Sequence, residues 1–495
     1  MKNIRQLFYG DNLYIIRHKV PTESVDLCYI DPPFNSKRNY NQIYNNVGGD
    51  DRAQAQAFMD TWTWDELAIA GYDEIMANDL ARFPVRLVDL IKGLQPVIKK
   101  GSLLAYLVSM ALRITEIHRV LKRTGSFYLH CDPTASHYLK LILDTIFVRD
   151  GGDFRNEIIW HYLKWSVEQQ QFVRNHDIIL FYSKSDSKER VFNTLFVERS
   201  PSTKKRFGNA KIISSHDAAG ARQPSMTEGD SDGVAMDDVW DISRVPPIKQ
   251  LYPTEKPEAL MERIVRASSN EGDTILDAYC GCGTTIVVAE ALKRNWVGID
   301  ITFQSISLIL RRLEHTYGAK IIDRIKTDGI PKDIASAEAL AHRKDDRLRK
   351  EFEKWAVLTY TNNRAIINEK KGADAGIDAI AFFKTTKNDN AKIVFQVKSG
   401  GVNRGDIAKL RGDMLREEAA LAILITLQPP SGPMTKEAKA VGQYKHEDMG
   451  RNYDTISIVT IRDILEAGKR LEIPMSIEVL KAAQRNADNG QLELL

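Results

Sequence analysis

The stretch "DTILDAYCGCGTTIVVAEALKRNWVGID", residues 273–300, decides the fold of this chain. Ile275 to Ala278 read as a short buried strand. "CGCG" is a turn that only small residues can make, and "TTIVVAEAL" has the apolar spacing of a helix packed on a sheet. "NWVGID" then reads as the next strand, ending on Asp300. Strand, glycine turn, helix, strand and acid together describe a nucleotide-binding βαβ unit of Rossmann-like α/β type. The glycines let backbone approach a ligand closely, and a carboxylate about 20 residues on can hold ribose hydroxyls.

The run is Asp277-x-x-x-Gly281-x-Gly283-Thr284, which departs from G-x-G-x-x-G. Asp277 at the strand end would repel a pyrophosphate, yet it suits the cationic amino-acid end of S-adenosylmethionine. Charge thus favours a methyl donor, with a dinucleotide as the competitor on this stretch alone.

The whole chain of 495 residues gives room for two or three domains at roughly 150 residues each. Cys28, Cys131, Cys280 and Cys282 are too scattered for a disulfide framework, and C-x-C inside a glycine turn lacks the second ligand pair of a zinc site. No apolar run approaches a membrane span, so a reduced, cytoplasmic setting is expected. Net charge is only +3, and overall composition does not announce a nucleic-acid binder. Local bias says more: 184–211 is rich in Lys and Arg, and 217–241 is acidic. By themselves such runs read as solvated loops.

"SVDLCYIDPPFNS", residues 24–36, supplies the chemistry. A strand breaks into Asp31-Pro32-Pro33-Phe34, where two prolines remove backbone donors and fix φ, leaving a rigid turn. An aromatic amine such as adenine N6 is a poor nucleophile because its lone pair is delocalised into the ring. The Asp31 carboxylate and the Pro32 carbonyl can accept its two hydrogens and favour the geometry that frees the lone pair. The Phe34 ring can stack on a base swung out of the duplex. Catalysis of this kind is mostly positioning and electrostatics, with no metal and no covalent intermediate.

Residues 5 to about 315 resemble the amino-methyltransferases of DNA, in the permuted (beta) class whose catalytic motif precedes the cofactor motif. Seven segments carry the resemblance: "YGDNL" (9–13), "DPPF" (31–34), "ITEIHRVLKRTGSFYLHCDPTASHYLKLILDTIF" (114–147), "FRNEIIW" (154–160), "HDIILFYSK" (176–184), "YPTEKPEALMERIVRASSNEGD" (252–273) and "LDAYCGCGTT" (276–285). The resemblance implies Asp31 to Phe34 at the target amine. It places Lys256, Asp277, Cys280, Gly281, Gly283, Thr284 and Asp300 around S-adenosylmethionine, with Asp11 at its adenine. It also implies double-stranded DNA as partner and a cytoplasmic bacterial, archaeal or phage-encoded protein. Asp before the two prolines points to adenine N6, with cytosine N4 as the alternative. Tyr279 and Cys282 replace an apolar or aromatic residue and a serine common in the family, both near-isosteric changes.

The family's target-recognition segment falls at about 184–250, so Lys204, Lys205 and Arg206 are expected on phosphate, which positions without specifying sequence. Residues of about 40–100 form a mostly helical insertion, whose Trp62 and Trp64 are read as core or homodimer contacts rather than DNA-stacking platforms.

After a helical connector (319–345), which follows the methyltransferase domain (1–318), the pattern changes. Residues 346–480 read as a second, smaller α/β domain with a hairpin flanked by helices, followed by a tail at 481–495. Asp378 on one strand and Gln396-x-Lys398 on its partner can converge, with Glu353 or Glu351 from the leading helix. A carboxylate there, Asp378 first, can hold Mg²⁺, and a lysine can activate water. The spacing resembles the PD-(D/E)xK nuclease fold in its Mrr-like branch, where glutamine replaces the second acid. A single-chain restriction–modification enzyme and a non-catalytic DNA-binding or dimerisation module are the two readings this leaves.

Overall fold

The computed structural model describes residues 4–33, 62–148, 151–163, 170, 172–208, 210–216, 221–246, 255–342, 346–362, 364–368, 376–385, 390–446 and 450–473. Phe34 and the first part of the 40–100 insertion lie outside these residues.

The larger unit is built on a nine-stranded sheet. From one edge to the other the strands are Val239–Asp241, Asp153–His161, His176–Ser183, Leu121–Cys131, Val25–Ile30, Thr274–Asp277, Asn295–Asp300, Arg5–Tyr9 and Lys326–Asp328. All run parallel except His176–Ser183, which is antiparallel to both neighbours. The stretch read as a helical connector therefore contributes an edge strand here, together with the helix Ile334–Ala341.

Both faces of this sheet are covered, which is why its central strands are apolar nearly throughout. On one face Cys28, Ile30, Phe127 and Leu129 pack against Ser102–Val120 and Ser136–Phe147, with Glu66–Ala77 and Val85–Ile98 outside them. Trp62 and Trp64 are packed here, their rings 5.4 Å from Tyr106 and 5.7 Å from Tyr72. On the other face Leu27, Tyr29, Ile275 and Trp296 meet Glu258–Ser268, Thr284–Ala291 and Phe303–Tyr317.

The smaller unit carries a five-stranded sheet in the order Ile366–Ile367, Ala379–Lys384, Asn390–Lys398, Leu421–Thr426, Ile456–Thr460. Strand alternation divides Asn390–Lys398 between two cores. Ile393, Phe395 and Val397 share a cluster with Phe352 and Trp355 of the helix Asp346–Tyr360. Val394 faces Ile407, Leu410 and Met434. The first of these clusters also contains Phe303, Ile306, Ile309 and Leu313, so the two units are joined by one continuous apolar core.

Candidate active site

Strands Val25–Ile30 and Thr274–Asp277 are neighbours in the sheet, with Tyr29 opposite Asp277. The chain leaves them in opposite directions, to Leu121–Cys131 on one side and Asn295–Asp300 on the other. This is a topological switch point, and ligands of open α/β sheets bind in the crevice outside the carboxyl ends of such strands. Asp31, Asp277, Asp300 and the Gly10–Asp11 corner all stand at those ends.

The glycine turn is built as its sequence requires. Gly281 and Gly283 have φ of +48° and +75°, in the left-handed region that disfavours a side chain. A Cβ on Gly283 would stand 2.5 Å from Cγ1 of Ile309. The Cys280 N–H donates to the Ile299 carbonyl at 3.1 Å and the Gly283 N–H to the Cys280 carbonyl at 2.6 Å. Thr284 opens the helix, its hydroxyl 3.5 Å from the Cys282 sulfur. Both thiols are buried and pushed up, Cys280 by burial and then by the charges of Asp300 and Asp277.

Two carboxyls flank this turn. Burial lifts Asp277 to about 7, and the nearby charges of Asp31 and Asp300 add to it, against hydrogen bonds from Thr285 and the Tyr279 N–H. Burial also lifts Asp300 to about 6, against hydrogen bonds from Thr302, Gly281 and Ser305. One Asp300 oxygen accepts the Gly281 N–H at 2.8 Å. The other accepts the Thr302 N–H and hydroxyl at 2.9 and 3.0 Å. Asp300 thus braces the glycine turn from within. Among the described residues no ion pair joins either carboxyl to a Lys, Arg or His, and burial without such a partner favours their protonated forms.

Asp11 caps the helix Asn12–Lys19 through the Tyr14 N–H at 3.0 Å and pairs with Arg113 at 2.8 Å. Its neighbour Asn12 donates to the Ala278 carbonyl at 2.8 Å, which ties this corner to the glycine turn.

At Asp31 the structure adds what the sequence did not signal. Lys256, expected at the cofactor, has its ammonium against an Asp31 oxygen. It is held there because Arg312 ties its neighbours down, pairing with Glu255 at 3.3 Å and Glu258 at 2.9 Å and donating to the Cys282 carbonyl at 3.0 Å. The other Asp31 oxygen is 3.7 Å from Nδ1 of His130, which is fully buried. His130 Nδ1 also meets the Tyr29 hydroxyl at 3.0 Å, and Nε2 lies 3.3 Å from Asp177. Tyr162 donates to the second Asp177 oxygen at 3.1 Å. Burial works to raise Asp177, but the hydrogen bond and charge of His130, with Lys256 behind them, bring it below the usual carboxylate range.

Lys204, Lys205 and Arg206 are exposed on the short helix Pro201–Phe207, with Lys204 paired to Glu198 at 2.9 Å.

In the smaller unit Glu353, Asp378 and Lys398 come close enough for their charges to act on one another. Burial, then the Glu353 charge, raises Asp378; burial raises Glu353. Asp378 accepts the Val397 N–H at 2.6 Å. Gln396 donates to the Gly376 carbonyl at 2.6 Å, and its own carbonyl oxygen is buried without a hydrogen bond. Among the described residues no group of three or more His, Cys, Asp or Glu side chains is placed to hold a metal ion. Glu351 turns away from this cluster and into the larger unit.

Residues 25–311 match the family model described as DNA methylase. That is more than half of the chain, and the chain belongs to this family. A DNA adenine methyltransferase, YhdJ, of Escherichia coli K12 is 26% identical over 330 residues, spanning 65% of this chain and 87% of the relative. The type II methyltransferase M.HpaI of Haemophilus parainfluenzae is 30% identical over 269 residues, 52% of this chain and 74% of the relative. The solved PvuII DNA methyltransferase, cytosine-N4-specific, is a distant likeness: 12% identity, 66% of this chain and 96% of that one, at a TM-score of 0.36. Residues 348–463 match a second model, described as NACHT-associated inactive Restriction Endonuclease 1, and the smaller unit is similar to that family.

Proposed function

We propose that this chain transfers a methyl group from S-adenosylmethionine to the exocyclic N6 of adenine at specific sites in double-stranded DNA. The observation that carries the reading is the pairing of Tyr29 with Asp277. It sets Asp31, two residues beyond Tyr29, beside a buried carboxyl that lacks a cation among the described residues. The donor set suits the proposed cofactor. Asp277 would take its ammonium, Gly281 and Gly283 would let backbone approach it, and Asp11 would lie at its far end. Bound there, S-adenosylmethionine supplies an electrophilic methyl on a sulfonium.

The remaining work falls to the chain. Lys256 fixes one oxygen of Asp31, leaving the other to accept a hydrogen of the incoming amine. Pro32, buried beside it, offers a carbonyl for the second hydrogen. His130, clamped between Asp31, Tyr29 and Asp177, holds that constellation rigid and shields it from water. Asp in place of Ser before the two prolines supports adenine over cytosine.

The smaller unit is proposed not to cut DNA. The two carboxylates beside Lys398, the glutamine at position 396 and the likeness to an inactive family support that reading. The test of the methylation reading is Asp31→Ala: methyl transfer to DNA should vanish while S-adenosylmethionine still binds. Full transfer by that variant would refute it.

A further inference from the structure

We propose that Glu351, on the first helix of the smaller unit, is a positioning residue for the cofactor site of the larger one. The inference rests on S-adenosylmethionine binding at the glycine turn, as read above. Glu351 is buried, with 8% of its surface exposed. One carboxylate oxygen accepts the backbone N–H of Phe303 at 2.9 Å and the Tyr9 hydroxyl at 3.4 Å. The other pairs with Lys354 at 2.9 Å on its own helix.

Both targets border the cofactor crevice. Phe303 follows directly on the Asp300–Thr302 corner, whose carboxylate holds the Gly281 N–H. Tyr9 lies opposite Asp300 in the sheet, and the Gly10 N–H beyond it donates to the Asp300 carbonyl at 2.9 Å. Glu351 therefore clasps the two chain segments that frame Asp300. The Tyr9 and Phe303 rings meet edge to face at 6.1 Å above it. The helix that Phe303 begins also carries Ile309 against Gly283.

A buried N–H that loses its acceptor keeps its desolvation cost, so the corner must shift to find another partner. Because Asp300 is anchored to that corner, the glycine turn moves with it. Removing Glu351 therefore weakens cofactor binding in a unit that Glu351 does not belong to. A glutamine can still accept both hydrogen bonds through its carbonyl oxygen and should restore binding.

The test measures S-adenosylmethionine affinity by calorimetry on the full chain, for wild type, Glu351→Ala and Glu351→Gln. Ile464→Val, a buried change elsewhere in the smaller unit, shows what mild destabilisation alone does to binding. Glu351→Ala should weaken binding roughly tenfold and raise KM for the cofactor with kcat nearly kept. Glu351→Gln and Ile464→Val should stay within about twofold of wild type. Binding by Glu351→Ala equal to wild type overturns the proposal. If Glu351→Ala does not fold, hydrogen exchange on wild type decides. By reciprocity, cofactor should slow exchange across residues 348–356, and unchanged exchange there also overturns it. Failure of wild type to bind S-adenosylmethionine at all would strike the methylation reading instead.

Discussion

Nε2 of the buried His130 lies 3.3 Å from a carboxylate oxygen of Asp177, and this contact fixes the ring whose other nitrogen faces Asp31. Asparagine at 177 would keep the shape but lose the charge that orients the imidazole. Asp177→Asn should lower the methyl-transfer kcat by roughly tenfold or more, with cofactor and DNA affinity little changed. Single-turnover transfer rates beside equilibrium binding check this. An unchanged rate would remove His130 from the account.

Cofactor affinity should depend on pH through Asp277. Burial lifts its carboxyl to about 7, and a bound ammonium favours the ionised form. Affinity should therefore fall as pH drops from 8 toward 6, by at most about tenfold per pH unit for this group. The same group works the other way on the stability of the cofactor-free protein. Its folded-state proton is held more tightly than in the unfolded chain, so its contribution is present at low pH. That contribution is lost as pH rises from about 4 through 7. The thermal upshift given by S-adenosylmethionine should accordingly be larger at pH 8 than at pH 6, which a thermal-shift series reads directly.

Gly283→Ala should damage both binding and folding. The new methyl would meet Ile309 at 2.5 Å in a left-handed backbone, where neither the turn nor the helix can give way cheaply. The expected loss is about 1–3 kcal/mol of stability, with cofactor binding sharply reduced. Urea unfolding together with calorimetry measures the two effects. Ala at 283 with wild-type affinity would mean the turn is not where the cofactor sits.

Supercoiled plasmid incubated with the protein and Mg²⁺ or Mn²⁺ should remain intact, with or without S-adenosylmethionine. The ligands gathered at Asp378 and Glu353 number two carboxylates beside a lysine, too few to hold a divalent ion firmly. Nicking that disappears in Lys398→Ala would contradict this and revive cleavage by the smaller unit.

Local pattern made much of this fold legible in advance. The strand, glycine turn, helix and acid of 273–300 are contiguous, and the prolines after Asp31 announce their own rigidity. What escaped the sequence depends on strands distant in the chain. His130 and Asp177 sit 47 residues apart and meet only because Leu121–Cys131 and His176–Ser183 pair antiparallel. The resemblance implies Lys256 at the cofactor, but its ion pair with Asp31, 225 residues away in the chain, depends on the order of strands in the sheet. Glu351 was visible as an acid on the leading helix of the smaller unit. Its use by the larger unit follows from a shared core that no local periodicity could signal.

The most direct test of the central claim is nucleoside analysis of DNA treated with the protein and methyl-labelled S-adenosylmethionine. The account predicts label in N6-methyladenine for wild type and none for Asp31→Ala. Label in N4-methylcytosine would overturn the choice of base, and equal label with Asp31→Ala would overturn the site itself.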